Sequence, residues 1–158
     1  MIPDILLIWL FMLRELTITD LPQVLAIEQA TQKAPWSEDV FTRCLEMGYK
    51  GWVLAESDQI TGFLLMSFVL GECHILNLCV HPDYQRKGLG RELLQHALLQ
   101  AKQKGAGIAY LEVRRSNKRA IALYNQAGFV QISERKNYYP DPKVREDALV
   151  FAKDLGVD

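Results

Sequence analysis

Cysteine is scarce in this chain and badly placed for cross-linking. Cys44, Cys73 and Cys79 are an odd number, with no C-x-x-C pair among them. That argues against a disulfide framework and against a zinc site. A reduced, cytoplasmic setting is the default expectation. His74, His81 and His96 have no metal-ligand spacing either, so no metal is expected. Charge of one sign is also missing: 18 Lys and Arg against 19 Asp and Glu leave a formal net charge of −1. The chain as a whole therefore has no basic footprint for direct nucleic-acid binding, and any anion site must be local. Its apolar run Ile5 to Leu13 has nine residues, too few to cross a membrane, which takes about 20. Asp4 and Arg14 are the wrong flanks for a signal peptide. Residues 1–12 are set apart as an apolar N-terminal extension: either Met12 is the natural start and the residues before it are an upstream addition, or the segment packs as an extra apolar element; the first is the expectation. No repeat, low-complexity stretch or linker breaks up the rest, which is expected to be a single domain over residues 13–158.

What the chain does have is concentrated between His74 and Leu94. Ile75-Leu76-Asn77-Leu78-Cys79-Val80 is a short apolar run bounded by β-branched residues, as in a mostly buried strand. His81-Pro82-Asp83 ends it, because proline has no N–H to give to a ladder. Gln85-Arg86-Lys87-Gly88-Leu89-Gly90 follows, then a helix with Leu89, Leu93, Leu94, Ala97, Leu98 and Ala101 on one face. Glycine at 88 and 90 lets backbone N–H groups approach a ligand with no Cβ between. The first turn of a helix adds unpaired N–H groups and a partial positive charge. With Arg86, Lys87 and Arg91 alongside, the expected ligand is a diphosphate carried by a cofactor. A nucleotide-hydrolase loop needs two glycines five apart, then lysine and a hydroxyl residue, and the dinucleotide fingerprint needs three glycines; neither is present. The stretch resembles instead the Q/R-x-x-G-x-G/A motif of the GNAT superfamily of N-acetyltransferases, through Gln85, Gly88 and Gly90. The resemblance implies that Gln85, Arg86, Lys87, Gly88, Leu89, Gly90 and Arg91 hold the pyrophosphate of acetyl-coenzyme A.

Elsewhere the patterning predicts a strand over Arg14 to Ile18 and a helix capped by Asp20 with Pro22 in its first turn. A second helix is capped by Ser37 and closed by Gly48, and strands follow over Trp52 to Glu56 and Ile60 to Leu70. After the glycine loop and its helix come a strand over Ile108 to Val113 and a helix capped by Ser116-Asn117. Strands over Phe129 to Ser133 and Ala148 to Ala152 close the chain, with Tyr138-Tyr139-Pro140 in the loop between them.

That order, from Leu13 onward, is similar to the order of the acetyltransferase family. The runs Leu111-Glu112-Val113-Arg114, Ser116-Asn117, Ala122-Leu123-Tyr124, Gly128-Phe129, Arg135-Lys136-Asn137-Tyr138-Tyr139 and Ala34-Pro35-Trp36-Ser37 resemble its RimI-type branch. The resemblance implies an α+β fold in three αβα layers: a mixed, mostly antiparallel seven-stranded sheet with helices on both faces. It also implies transfer of acetyl to the N-terminal alanine of a small-subunit ribosomal protein, in the cytoplasm and away from membranes. Leu78, Cys79 and Val80 would offer backbone groups to the pantetheine arm, and Asn117 would touch the cofactor. Glu112 would be the general base and Tyr124 the acid that protonates the departing thiolate. Trp36, Tyr138 and Tyr139 would grip the peptide, as rigid aromatics with polar tips can. Little is demanded of the base, because about a tenth of α-amines are neutral near pH 7, against about one lysine in a few thousand. By residue type alone Glu112 could equally lie at a sheet edge or pair with Arg114. Two other readings stay open, a small-molecule amine or lysine acetyltransferase and a non-catalytic acyl-coenzyme A sensor or binding module.

Overall fold

The computed structural model describes residues 12–141 and 143–156; the expected extension before Met12 lies outside the described residues. Among the described residues the strands and helices follow the expected order. They are β1 (Met12–Glu15), α1 (Leu21–Thr31), α2 (Glu38–Glu46), β2 (Lys50–Glu56), β3 (Gln59–Val69), β4 (Glu72–Val80), α3 (Leu89–Gln103), β5 (Ile108–Arg114), α4 (Lys118–Gln126), β6 (Val130–Tyr139) and β7 (Glu146–Asp154). The seven strands form a mixed sheet in the order β1-β2-β3-β4-β5-β7-β6. The chain makes two compact units: the described part of Met1–Leu65 with Asn77–Leu94, and Met66–Leu76 with the described part of Gln95–Asp158.

In the first unit, α1 buries Leu21, Val24 and Ile27, each three residues from the last, in one cluster with Phe41, Val53, Ile60, Phe63 and Leu65. Each such side chain taken from water contributes roughly 1.5–3 kcal/mol. Strand β1 pairs antiparallel with β2, from Met12↔Ala55 to Glu15↔Trp52. It is thus earlier and shorter than Arg14 to Ile18, because a 3-10 turn takes over at Ile18–Asp20. The Asp20 carboxylate makes that turn: it accepts the Thr17 N–H at 2.8 Å and two N–H groups of Arg14, each at 2.8 Å. Asp20 therefore holds the N-cap position of α1 without capping it through its side chain, a correction to its expected role. Pro22, preset for a first helical turn, marks the start instead. Ser37 likewise caps α2 with its carbonyl, which accepts the N–H groups of Val40 and Phe41.

Hydrogen bonding to Arg14 holds the Asp20 carboxyl below its usual range, against the opposing effect of burial. A folded-state pKa below the unfolded value stabilises the fold above about pH 4, and that contribution is lost as the pH falls through the folded value. Arg14→Gln is expected to cost about 1 kcal/mol at pH 7, a modest figure because the guanidinium is partly exposed. In urea titrations the gap to wild type should close as the pH drops below about 4; a gap unchanged down to about pH 2 would contradict this.

In the second unit, β4 opens with a parallel ladder to β5, Glu72↔Ile108 to Ile75↔Leu111. Strand β5 then pairs antiparallel with β7, from Ile108↔Asp154 to Arg114↔Ala148. Pleating buries Ala109, Leu111 and Val113 and leaves Tyr110, Glu112 and Arg114 half-buried on the other face. Strand β6 runs on to Tyr139, so Tyr138 and Tyr139 end a strand; they are not in the loop predicted for them. Two register shifts let it continue, and the second includes Asn137, at φ +55°. Asn137 donates its N–H to Asp147 at 2.9 Å, and Arg145 ties down the carbonyls of Asn137 and Tyr138 at 2.7 and 3.0 Å.

Candidate active site

The end of β4 leads directly into the basic glycine loop. A 3-10 turn, Pro82–Tyr84, is capped by His81, whose Nδ1 accepts the Asp83 N–H at 3.0 Å. Gln85 turns its side chain back and donates to the Val80 carbonyl at 3.0 Å. The loop then passes through two left-handed residues, Arg86 at φ +66° and Gly88 at φ +80°, before α3 begins at Leu89. Leu89 is buried and anchors the turn, while Arg86, Lys87 and Arg91 are exposed. Sequence reasoning ascribed Gly88 to close approach by a ligand. The backbone adds a second reason: Gly88 sits at φ +80°, which disfavours a side chain, although a Cβ there would meet no protein atom within 4 Å. Gly88→Ala is expected to destabilise the fold by about 1 kcal/mol, because alanine disfavours this backbone by that amount; an unchanged urea midpoint would contradict it. In sequence, Arg86, Lys87 and Arg91 lie beside or within the opening turn of a 15-residue helix, whose first N–H groups have no partner within the helix, a composition suited to a diphosphate.

Leu78, Cys79 and Val80 lie on β4 beyond the residues laddered to β5. The Cys79 thiol is buried and its pKa is pushed up to about 12, chiefly by desolvation. A thiol so reluctant to ionise is no nucleophile. His81, two residues on, has its Nδ1 engaged by the Asp83 N–H.

In the second unit, Glu112 stands on β5 with Arg135 of β6 at 3.3 Å from its Oε1. The Arg135 guanidinium also covers the Tyr138 ring at 5.1 Å, and Arg114 covers the Tyr139 ring at 4.5 Å. The two tyrosine rings meet edge to face at 5.0 Å, and Arg114 pairs with Glu146 at 3.3 Å. Burial, then the Glu112 charge, raises the pKa of both phenols, so the two hydroxyls stay protonated. The structure thus brings Glu112, Tyr138 and Tyr139 together with two arginines. Pairing of Arg114 with Glu112, one reading open from the sequence, is replaced by Arg135 with Glu112 and Arg114 with Glu146. Arg115, next to Arg114, pairs with Glu134 and Asp147.

Tyr124 lies elsewhere in that unit. It is 7% exposed, with Phe129 and Phe151 at 5.9 and 6.5 Å between ring centroids. Phe151 faces Leu111 across the ladder, and so lies on the face of β5 opposite Glu112. Asn117 caps α4, its side-chain oxygen accepting the Ala120 N–H at 3.2 Å. In the first unit, Trp36 packs its ring against Phe41 at 5.3 Å and donates its backbone N–H to Glu28 at 2.9 Å. Glu28, a buried acid, went unnoticed in the sequence. Its signal was there: it follows Leu21 and Val24 by seven and four residues, so it sits on the apolar stripe of α1. Among the described residues no group of His, Cys, Asp or Glu could hold a metal, and no helix is long and apolar enough to cross a membrane.

Comparison with known proteins gives one consistent result. The model of the acetyltransferase (GNAT) family matches residues 12–129. The sequence is similar to ribosomal protein bS18-alanine N-acetyltransferase of Escherichia coli, 42% identical over 134 residues, covering 85% of this chain and 90% of that protein. A protein of the same name from Haemophilus influenzae is 39% identical over 134 residues, 84% of this chain and 91% of that one. The crystal structure of the Escherichia coli enzyme matches with a TM-score of 0.88 at 38% identity, over 94% of this chain and 96% of that one.

Proposed function

The chain belongs to the acetyltransferase (GNAT) family, and we propose that within it the acetyl group goes to the α-amine of an N-terminal alanine on a ribosomal protein. As a family member it is an acetyl-coenzyme A-dependent N-acetyltransferase. The ribosomal substrate is carried by one observation: relatives matching over 84–85% of this chain are named for that reaction. The residues around Glu112 agree with it. Both carboxylates there are matched by arginines, Glu112 by Arg135 and Glu146 by Arg114, so a polycationic small amine would find no surplus of negative charge.

Backbone groups of Leu78, Cys79 and Val80 would hold the pantetheine arm, and Arg86, Lys87, Arg91 and the N–H groups of Gly88, Leu89 and Gly90 the pyrophosphate. Gln85 would shape the loop through its bond to Val80. Asn117, whose oxygen caps α4, would still have its amide N–H groups to offer the cofactor. The bound acetyl-coenzyme A supplies a thioester, whose carbonyl carbon takes the amine as its bond to sulfur breaks. Glu112 takes the proton released by the ammonium, directly or through a water, and the Tyr124 hydroxyl gives one to the thiolate. Trp36, Tyr138 and Tyr139 grip the peptide. Tyr138→Ala is expected to raise the peptide KM about fivefold or more with the acetyl-coenzyme A KM within about twofold, as loss of a binding contact requires; equal changes in both would remove Tyr138 from the peptide site.

Matched short peptides test the acceptor. One set begins with alanine and lacks lysine; the other is blocked at its N-terminus and contains lysine. Transfer to the first alone is the expected result. Transfer to the second alone, or to neither, would overturn the α-amine reading.

A further inference from the structure

Glu28 is 1% exposed, and each oxygen of its carboxylate is used. Oε2 accepts the backbone N–H of Trp36 at 2.9 Å. Oε1 accepts the Asn77 side-chain amide at 2.9 Å and lies 3.5 Å from the Cys79 sulfur. Asn77 and Cys79 are two apart on β4, so both side chains point to the same face of the strand, on either side of Leu78. Gln32 completes the cluster by donating to the Cys79 sulfur at 3.0 Å. One buried side chain thus joins the cofactor strand to the turn between α1 and α2. The two attachments differ in what else secures them. Strand β4 is held within the sheet and packs closely over Gly62, where a Cβ would come within 3.1 Å of the Cys79 carbonyl. In the turn, Ala34 and Pro35 are exposed and the Trp36 ring rests on Phe41. Loss of the carboxylate should therefore shift the turn more than the strand.

We propose that Glu28 is a positioning residue for the amine acceptor: by accepting the Trp36 N–H it fixes the turn that presents the Trp36 ring to substrate. This rests on the reading of Trp36 as a peptide contact. Glutamine at 28 keeps one carbonyl oxygen for Trp36 if the Asn77 amide turns over, whereas methionine fills a similar volume and offers no strong acceptor. Glu28→Met is expected to raise the acceptor KM about tenfold with the acetyl-coenzyme A KM within about twofold, and Glu28→Gln to stay within about threefold of wild type on both. Unchanged acceptor KM in Glu28→Met, or equal rises in both constants, would reduce Glu28 to a structural role and overturn the proposal, whatever the thermal midpoint does. If Glu28→Met does not fold, Asn77→Ala, which removes one of the groups holding the carboxylate, is expected to raise the acceptor KM alone by about threefold; no rise there would overturn the proposal. The ratio is measured on whichever amine the wild type acetylates. Failure of the wild type on alanine-first peptides would thus overturn the substrate reading while the Glu28 ratio is still measured.

Discussion

Glu112→Gln is expected to slow acetyl transfer about 10- to 100-fold at pH 7 and to recover as the pH rises. A positioned base commonly contributes about 10²–10⁴-fold, but an α-amine with a pKa near 8 is already about one-tenth neutral at pH 7. Without the carboxylate, the variant must draw on that neutral fraction, so its rate should climb about tenfold per pH unit and level off above about pH 8. Wild type should be flatter over the same range. The substitution is nearly isosteric and Glu112 is partly exposed, so coenzyme A binding and folding should survive. A loss of the same size at pH 7 and pH 9 would show that Glu112 does something other than take the proton.

Tyr124→Phe is expected to lower kcat about tenfold or more while the acetyl-coenzyme A KM changes by less than about twofold. The ring already packs with Phe129 and Phe151, so phenylalanine fits and the fold should hold. In the proposed mechanism it removes the proton donor for a thiolate whose thiol has a pKa of about 8.5; a phenol near 10 makes that transfer mildly uphill. A near-normal kcat would leave Tyr124 as a packing residue, which its burial among aromatics already allows.

Local features were legible in the sequence and distant ones were not. The strand, basic turn and helix from Ile75 to Ala101 could be read because each signal lies within a few residues of the next. Even there the positive backbone angle of Gly88, a second reason for glycine, was not read. Asp20 has the composition of a cap, yet Arg14 claims its carboxylate, a choice that depends on where β1 ends. Tyr138 and Tyr139 were placed in a loop because the strand before them was read as ending at Ser133. In the fold Asn137 lies within a register shift of β6, which needs β7 beside it to exist. Arg135 was not singled out as the partner of Glu112, since 23 residues separate them, and Glu28 went unnoticed because its partners lie 8, 49 and 51 residues away.

The central claim is transfer to one particular amine, and intact ribosomal protein bS18 with an unmodified alanine terminus tests it most directly. It would be incubated with acetyl-coenzyme A and the enzyme, and the product mapped by mass spectrometry. One acetyl group on the N-terminal alanine, with every lysine unmodified, is the result the account predicts. Acetyl found only on lysines, or an unmodified protein from an enzyme that acetylates small amines, would contradict it.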